Sequence, residues 1–186
     1  KRYQASSLRE PVKVFISSPG EVGEERTILK HAIARIAREF QDVVPVESFM
    51  WEQNALVATA DFQSQIDSYL QPREAYIAVF ILWSRLGTPL PRSVTRDDGS
   101  RYDSGTEYEF EDAMKGFDET GTPKILVYRK TIAPVVELRD PDALEERIQQ
   151  QRKLDAFFQK HFHDPDDDPM NARQHGEPGH LVIRAG

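Results

Sequence analysis

Three glutamates and two aspartates crowd around a Ser-Gly-Thr turn in "DSGTEYEFEDAMKG", residues 103–116. Two chemistries are open to such a group. Ser104-x-x-Glu107 and Thr106-x-x-Glu109 both match the capping box, in which the glutamate accepts a hydrogen bond from the cap residue's own N–H. On that reading the acids serve a helix. On the other, one carboxylate is aimed at a ligand. Near a helix start it can hydrogen-bond two ribose hydroxyls, or stabilise an oxocarbenium ion as a glycosidic bond breaks. Phe110, Ala113, Met114 and Phe117 make the apolar stripe of this helix, and Glu109 and Glu111 flank it on opposite sides. Glu109 is the catalytic candidate, because it lies near the helix start and therefore near the end where a ligand would sit. Glu107 and Glu111 are expected to serve the helix and solvent.

Two other segments could join it. "SSPG", 17–20, stands between an apolar run and a helical pattern. Its backbone N–H groups, with Ser17, Ser18 and Gly20, can hold a phosphate or a ribose, or simply turn the chain and cap the helix. It is neither a Walker loop nor a GxGxxG fingerprint. "WSRLGTP", 83–89, offers Arg85 to an anionic ligand or to a carboxylate of the acidic helix. Ser104, Gly105 and Thr106, in the turn before Glu109, complete the ligand-binding candidates. Trp51 and Trp83 can stack on a ring or fill a core. "HFH", 161–163, beside "DPDDDP" fits no standard metal loop, and no metal site is expected.

The elements that would position these residues follow from periodicity. "VKVFIS" (12–17), "VVPVESF" (43–49), "AYIAVFILW" (75–83) and "KILVYRK" (124–130) read as strands. The third is apolar throughout, as in a parallel sheet covered on both faces. Residues 21–40 read as a helix with Ile28, Leu29, Ala32, Ile33, Ile36, Ala37 and Phe40 facing the core. Its first-turn acids, Glu21, Glu24 and Glu25, suit the helix dipole. Residues 60–70 read as a short amphipathic helix and 140–162 as a longer one, with "HLVIR" a late strand or an exit linker. The order predicts an α/β fold: a flavodoxin-like open parallel sheet of four to five strands with helices on both faces. Ligands in such sheets bind beyond the carboxyl ends of the strands. The expected organisation is an extension over 1–11, an α/β domain over 12–135, and a C-terminal helix and tail over 136–186. The polar loop 91–105 is expected to be mobile and to act as a lid.

Composition narrows the function. The chain has 186 residues, no cysteine and a net charge of −7. Disulfides and thiolate metal sites are excluded, and a reducing cytoplasm fits. A negative chain without a clustered basic face is not expected to bind nucleic acid. No apolar run is long enough for a membrane span.

Three stretches carry a resemblance. "VFISSPGEVGEER" (14–26), "ILWSRLGTP" (81–89) and "DSGTEYEFEDA" (103–113) together resemble a TIR-like domain of the branch found at the N-termini of large STAND NTPases, over residues 12–130. The third is also similar to the Gly-Thr-x-x-Glu motif of nucleoside deoxyribosyltransferases, in which the glutamate attacks the sugar. Gly105 and Thr106 then take the turn, and Glu109 takes the glutamate's place. The resemblance implies a flavodoxin-like fold and an effector or signalling role in a larger defence-type protein. It implies cleavage of the nicotinamide–ribose bond of NAD, a nucleotide that is then substrate and not cofactor, and self-association of the domain. The sequence departs from the usual TIR pattern, since "DSGTEYE" stands where a Trp-Cys segment precedes the glutamate. A non-catalytic adaptor that assembles with its own kind is the alternative, and transfer of a deoxyribose between bases a third reading.

Overall fold

The computed structural model describes residues 10–50, 70–135, 141–162 and 180–185, the last as backbone alone. The elements are β1 (Val12–Ser17), α1 (Gly23–Glu39), β2 (Val46–Met50), β3 (Ile77–Leu82), α2 (Gly105–Thr120), β4 (Lys124–Lys130), α3 (Pro141–Phe162) and β5 (His180–Ala185). The helix expected over 60–70 lies almost wholly outside the described residues.

All pairings are parallel, in the order β2-β1-β3-β4-β5. This is the flavodoxin-like order, and its direction reverses between β1 and β3. β1 runs in register with β2 from Val12 opposite Val46, and with β3 from Val14 opposite Ile77 to Ser17 opposite Phe80. β2 starts at Val46, later than the apolar pattern suggests, because Pro45 has no N–H for a ladder. The Pro45 carbonyl still accepts from Val12 N at 2.8 Å.

The strand interiors alternate between two apolar layers. Phe15, Ala78, Phe80, Leu82, Ile125 and Val127 pack with Phe110 and Ala113 of α2 and with Leu154, Phe157 and Phe158 of α3. Val14, Ile16, Val79 and Ile81 pack on the other face with Val22 and Ile33 of the α1 side. This two-sided burial is why β3 is apolar at every position. Phe110 is the hub of the first layer, edge-on to Phe80 at 5.4 Å and to Phe157 at 5.0 Å. Through these rings α3 belongs to the same layered unit as the sheet, and β5 extends that sheet beyond β4.

The α1 stripe is narrower than its sequence suggests. Ile33 is buried and Leu29 packs partly, but Ile28 is 68% and Ile36 47% exposed. Ile28 and Ile33 stand about 140° apart around the axis, too far for one face to bury both. Among the described residues, no helix is long and apolar enough to cross a membrane.

Candidate functional site

β1 ends at Ser17 and β3 at Leu82, on neighbouring strands at the point where the strand order reverses. Ser17 shares the side-chain parity of Phe15, so it faces the layer that α2 covers. There its hydroxyl donates a hydrogen bond to Oε2 of Glu109. Both residues are buried, Ser17 at 2% and Glu109 at 8% exposed. The expected catalytic carboxylate therefore stands at the carboxyl end of the sheet, held by the first candidate of "SSPG".

The turn before Glu109 is built on close contacts. Ser104 is the N-cap of α2, its Oγ accepting from Glu107 N at 3.1 Å and donating to the Leu86 carbonyl at 3.2 Å. Gly105 N donates to the Thr88 carbonyl at 3.0 Å. Gly87 has φ 131°, and a Cβ there would lie 2.8 Å from Thr106 Oγ1. Only glycine allows the loop after β3 to lie on this turn. Ser104, Gly105 and Thr106 thus join the exit of β3 to the start of α2.

The remaining acids are engaged elsewhere, and this revises their expected roles. Glu107 is buried; it accepts from Asp103 N at 2.7 Å and pairs with Arg96 at 2.9 Å. It closes the capping turn on Asp103 N, one residue before the expected Ser104 N–H. Glu111 receives two hydrogen bonds from Arg96, both at 2.9 Å, and one from Lys160 of α3 at 3.0 Å. Burial alone would raise the Glu111 carboxyl, but the bonds from Arg96 and Lys160 outweigh it and hold it below the usual carboxylate range. Asp112 is buried and takes the backbone N–H of Arg73 at 2.9 Å and its Nε at 2.7 Å. Asp103 pairs with Lys153 at 3.1 Å. The acids of the opening stretch tie α2 and its lead-in to other parts of the chain: Glu107 and Glu111 to Arg96, Asp112 to Arg73 and Asp103 to Lys153. Among the acids of this stretch and the described residues, Glu109 is the one tied to the end of β1.

Arg96 also donates to the Arg101 carbonyl, and its guanidinium lies 4.3 Å from the centre of the Tyr102 ring. The loop expected to move freely is thereby pinned to α2.

The other candidates fall beside this core with partners of their own. Ser18 Oγ accepts from Arg26 Nε at 2.9 Å, and the Pro19 carbonyl accepts from Arg26 Nη2 at 2.9 Å, so Arg26 clamps the "SSPG" turn. Arg85 meets no carboxylate of the acidic helix. It lies against Glu21, with Nε 3.8 Å from Oε2, and its Nη2 comes near Gly20. Glu21 does not serve the dipole of α1, because it sits in the Gly20–Val22 turn and accepts from Ser84 and Arg85 across the crevice. Trp83 is half-buried against the Ile16 layer, donating to the Ile132 carbonyl at 2.6 Å with Lys130 over its ring at 4.3 Å. Trp51 lies outside the described residues. Glu21, Arg26, Arg96 and Asp112 were not singled out as contacts by sequence reasoning, since their partners lie far along the chain. Among the described residues no group of three or more His, Asp and Glu is placed to hold a metal ion.

Compared with known proteins, the chain matches no family model and no curated protein.

Proposed function

We propose that this is a TIR-like effector domain that cleaves the N-glycosidic bond of NAD or a related nucleotide, with Glu109 as the catalytic carboxylate. The observation that carries the reading is the buried Ser17–Glu109 hydrogen bond at the carboxyl ends of β1 and β3. A buried carboxylate at that place is costly to the fold, and groups kept at such cost cluster in functional sites. In the reaction, the bond between ribose C1′ and the base nitrogen breaks and its electron pair leaves with the base. Glu109 stabilises the positive charge that develops at C1′, and water supplies the hydroxyl that replaces the base, its second proton passing to solvent. Ser17 fixes the rotamer of the carboxylate. Ser18, Gly20 and Arg85 border the space for phosphates or ribose, and Ser104, Gly105 and Thr106 shape the floor.

The test is release of nicotinamide from NAD by purified protein, compared with Glu109→Gln. The variant should keep the fold, because Gln can still accept from Ser17, and should lose at least about 100-fold in rate, the scale of a single electrostatic group. Equal rates in the two proteins would remove Glu109 from the chemistry. A second reading, an adaptor that self-associates, is favoured by the exposed Ile28 and Ile36 of α1 and by exposed Val43. No base release, with self-association weakened by Ile28→Asp, would select it.

A further inference from the structure

Just beyond β3 the chain aims three donors at one point. The backbone N–H groups of Ser84 and Arg85 converge, and the Ser84 hydroxyl joins them. Successive N–H groups in such a concavity bind anions. This one holds an anion from its own chain. Glu21 Oε1 accepts from Ser84 N at 2.8 Å and from Arg85 N at 3.1 Å, while Oε2 accepts from Ser84 Oγ at 2.8 Å. The Arg85 guanidinium adds its charge, with Nε 3.8 Å from Oε2. Two amides, a hydroxyl and a guanidinium around two oxygens is the donor set that a phosphoryl group takes.

The arrangement is not used up by Glu21. Arg85 Nε is buried and has no hydrogen-bond partner, while the side chain as a whole is 41% exposed. Its charge is available to an anion that brings more oxygens than a carboxylate does. Beside the nest lies an open depression of about 750 Å³, lined by Glu21, Gly23, Thr27, Trp83 and Lys130 among others. Glu24 and Glu25 stand on its wall, with Glu25 paired to Lys130 at 2.6 Å. These acids would repel a polyanion lying along the surface, whereas a compact phosphoryl group reaching the nest stays beside Arg85.

We infer that the 84–85 nest with Arg85 is a subsite for a phosphoryl group, and that Glu21 is an internal plug which the ligand displaces. Glu21 rides on the short 3-10 turn Gly20–Val22, whose Val22 is buried, so the plug leaves by rotation of the Glu21 side chain while the backbone stays in place. A plugged site binds with an affinity reduced by the fraction of time it is open. If it is open about one tenth of the time, removing the plug tightens binding about tenfold. The inference extends the glycosidase reading by giving the nucleotide's phosphates a place, but it does not need Glu109 to act.

The probe is inorganic pyrophosphate, titrated calorimetrically into the wild type, Glu21→Ala, and Glu21→Ala combined with Arg85→Ala. Glu21→Ala should bind at least about tenfold more tightly than the wild type, and the double variant should lose that gain. Equal affinity in the wild type and Glu21→Ala would overturn the plug. A folded Glu21→Ala that binds no pyrophosphate would overturn the subsite. Should that variant not fold, the wild type decides by amide resonances: those of Ser84 and Arg85 must shift on titration, and their staying fixed would refute the site. Pyrophosphate binding without base release from NAD would leave the subsite standing and remove the glycosidase reading alone.

Discussion

Replacing Gly116 by alanine should lower stability, even though alanine is the better helix residue. Inside a helix the change alone is worth about 1 kcal/mol in favour of alanine. Gly116, however, lies where α2 meets the Pro72–Glu74 turn. A Cβ there would stand 2.8 Å from Arg73 Cβ, 2.9 Å from its Cα and 3.0 Å from its carbonyl oxygen. Two of those atoms are backbone, so the whole turn must retreat. Overpacking of this kind costs about 1–3 kcal/mol. Retreat also stretches the bonds from Arg73 to buried Asp112, each worth about 1.5–3 kcal/mol at full strength. Arg73 is 40% exposed and can turn to water, so only part of that is lost. The balance is a net loss of about 1–3 kcal/mol, or about 2–12 °C in Tm for a domain of this size. Thermal and urea unfolding of Gly116→Ala measure it. Gly23→Ala is the control, since nothing lies within 4 Å of a Cβ at that helical position. Its Tm should hold or rise slightly. A Gly116→Ala Tm at or above the wild type would refute the close approach and with it the account of how α2 is seated.

Three further expectations follow from side chains. His161 is pushed down to about 4 by burial, so between about 4 and the ordinary 6.5 the unfolded chain binds the proton that the folded one refuses; stability should fall with pH through that window, and less steeply in His161→Phe, as read by Tm against pH. Glu111 has its folded value below the ordinary 4.5, so the stability it adds is present above 4.5 and fades as pH drops through its lowered value; the Tm gap between wild type and Glu111→Gln should be widest near neutral pH and close in acid, and a gap that widens in acid would count against the Arg96 and Lys160 bonds. Arg96→Ala should speed amide exchange across 91–103 several-fold or more while leaving that of β3 and β4 unchanged, and unaltered exchange in the loop would show that Arg96 does not pin it.

The layered fold was legible because its signal is local. The unbroken apolar run of β3 and the spacing of Phe110, Ala113 and Phe117 each report burial within one element. So does the cap at Ser104, where donor and acceptor are three residues apart. The partners of the acids were not legible, because they depend on which distant element folds over them. Ser17 and Glu109 are 92 residues apart, and Glu21 meets Ser84 across 63. Nothing near Glu21 distinguishes it from Glu24 or Glu25, and helix-dipole reasoning treats all three alike. Ile28 failed for a related reason: periodicity counts apolar positions, while the width of the sheet beneath decides how many of them are covered. Glu109 was singled out by its nearness to a helix start, a position that places a residue without naming its neighbour.

The strand order also bears on how the chain is made. β1 is an interior strand, but its second neighbour, β3, is synthesised only after β2 and the whole segment between them. Until Ile77 emerges to pair beside Val14, one side of β1 offers unpaired N–H and C=O groups. A nascent chain in that state carries an apolar strand with an open edge, the kind of surface that recruits other unfinished chains. Parallel pairing cannot be hurried by a tight turn, since every connection crosses the sheet. The Ser17–Glu109 contact comes later still, after α2 has left the ribosome. The candidate carboxylate therefore meets Ser17 only after β1, β2 and β3 have been made, so a chain interrupted before α2 carries three strands of the sheet and lacks Glu109 altogether.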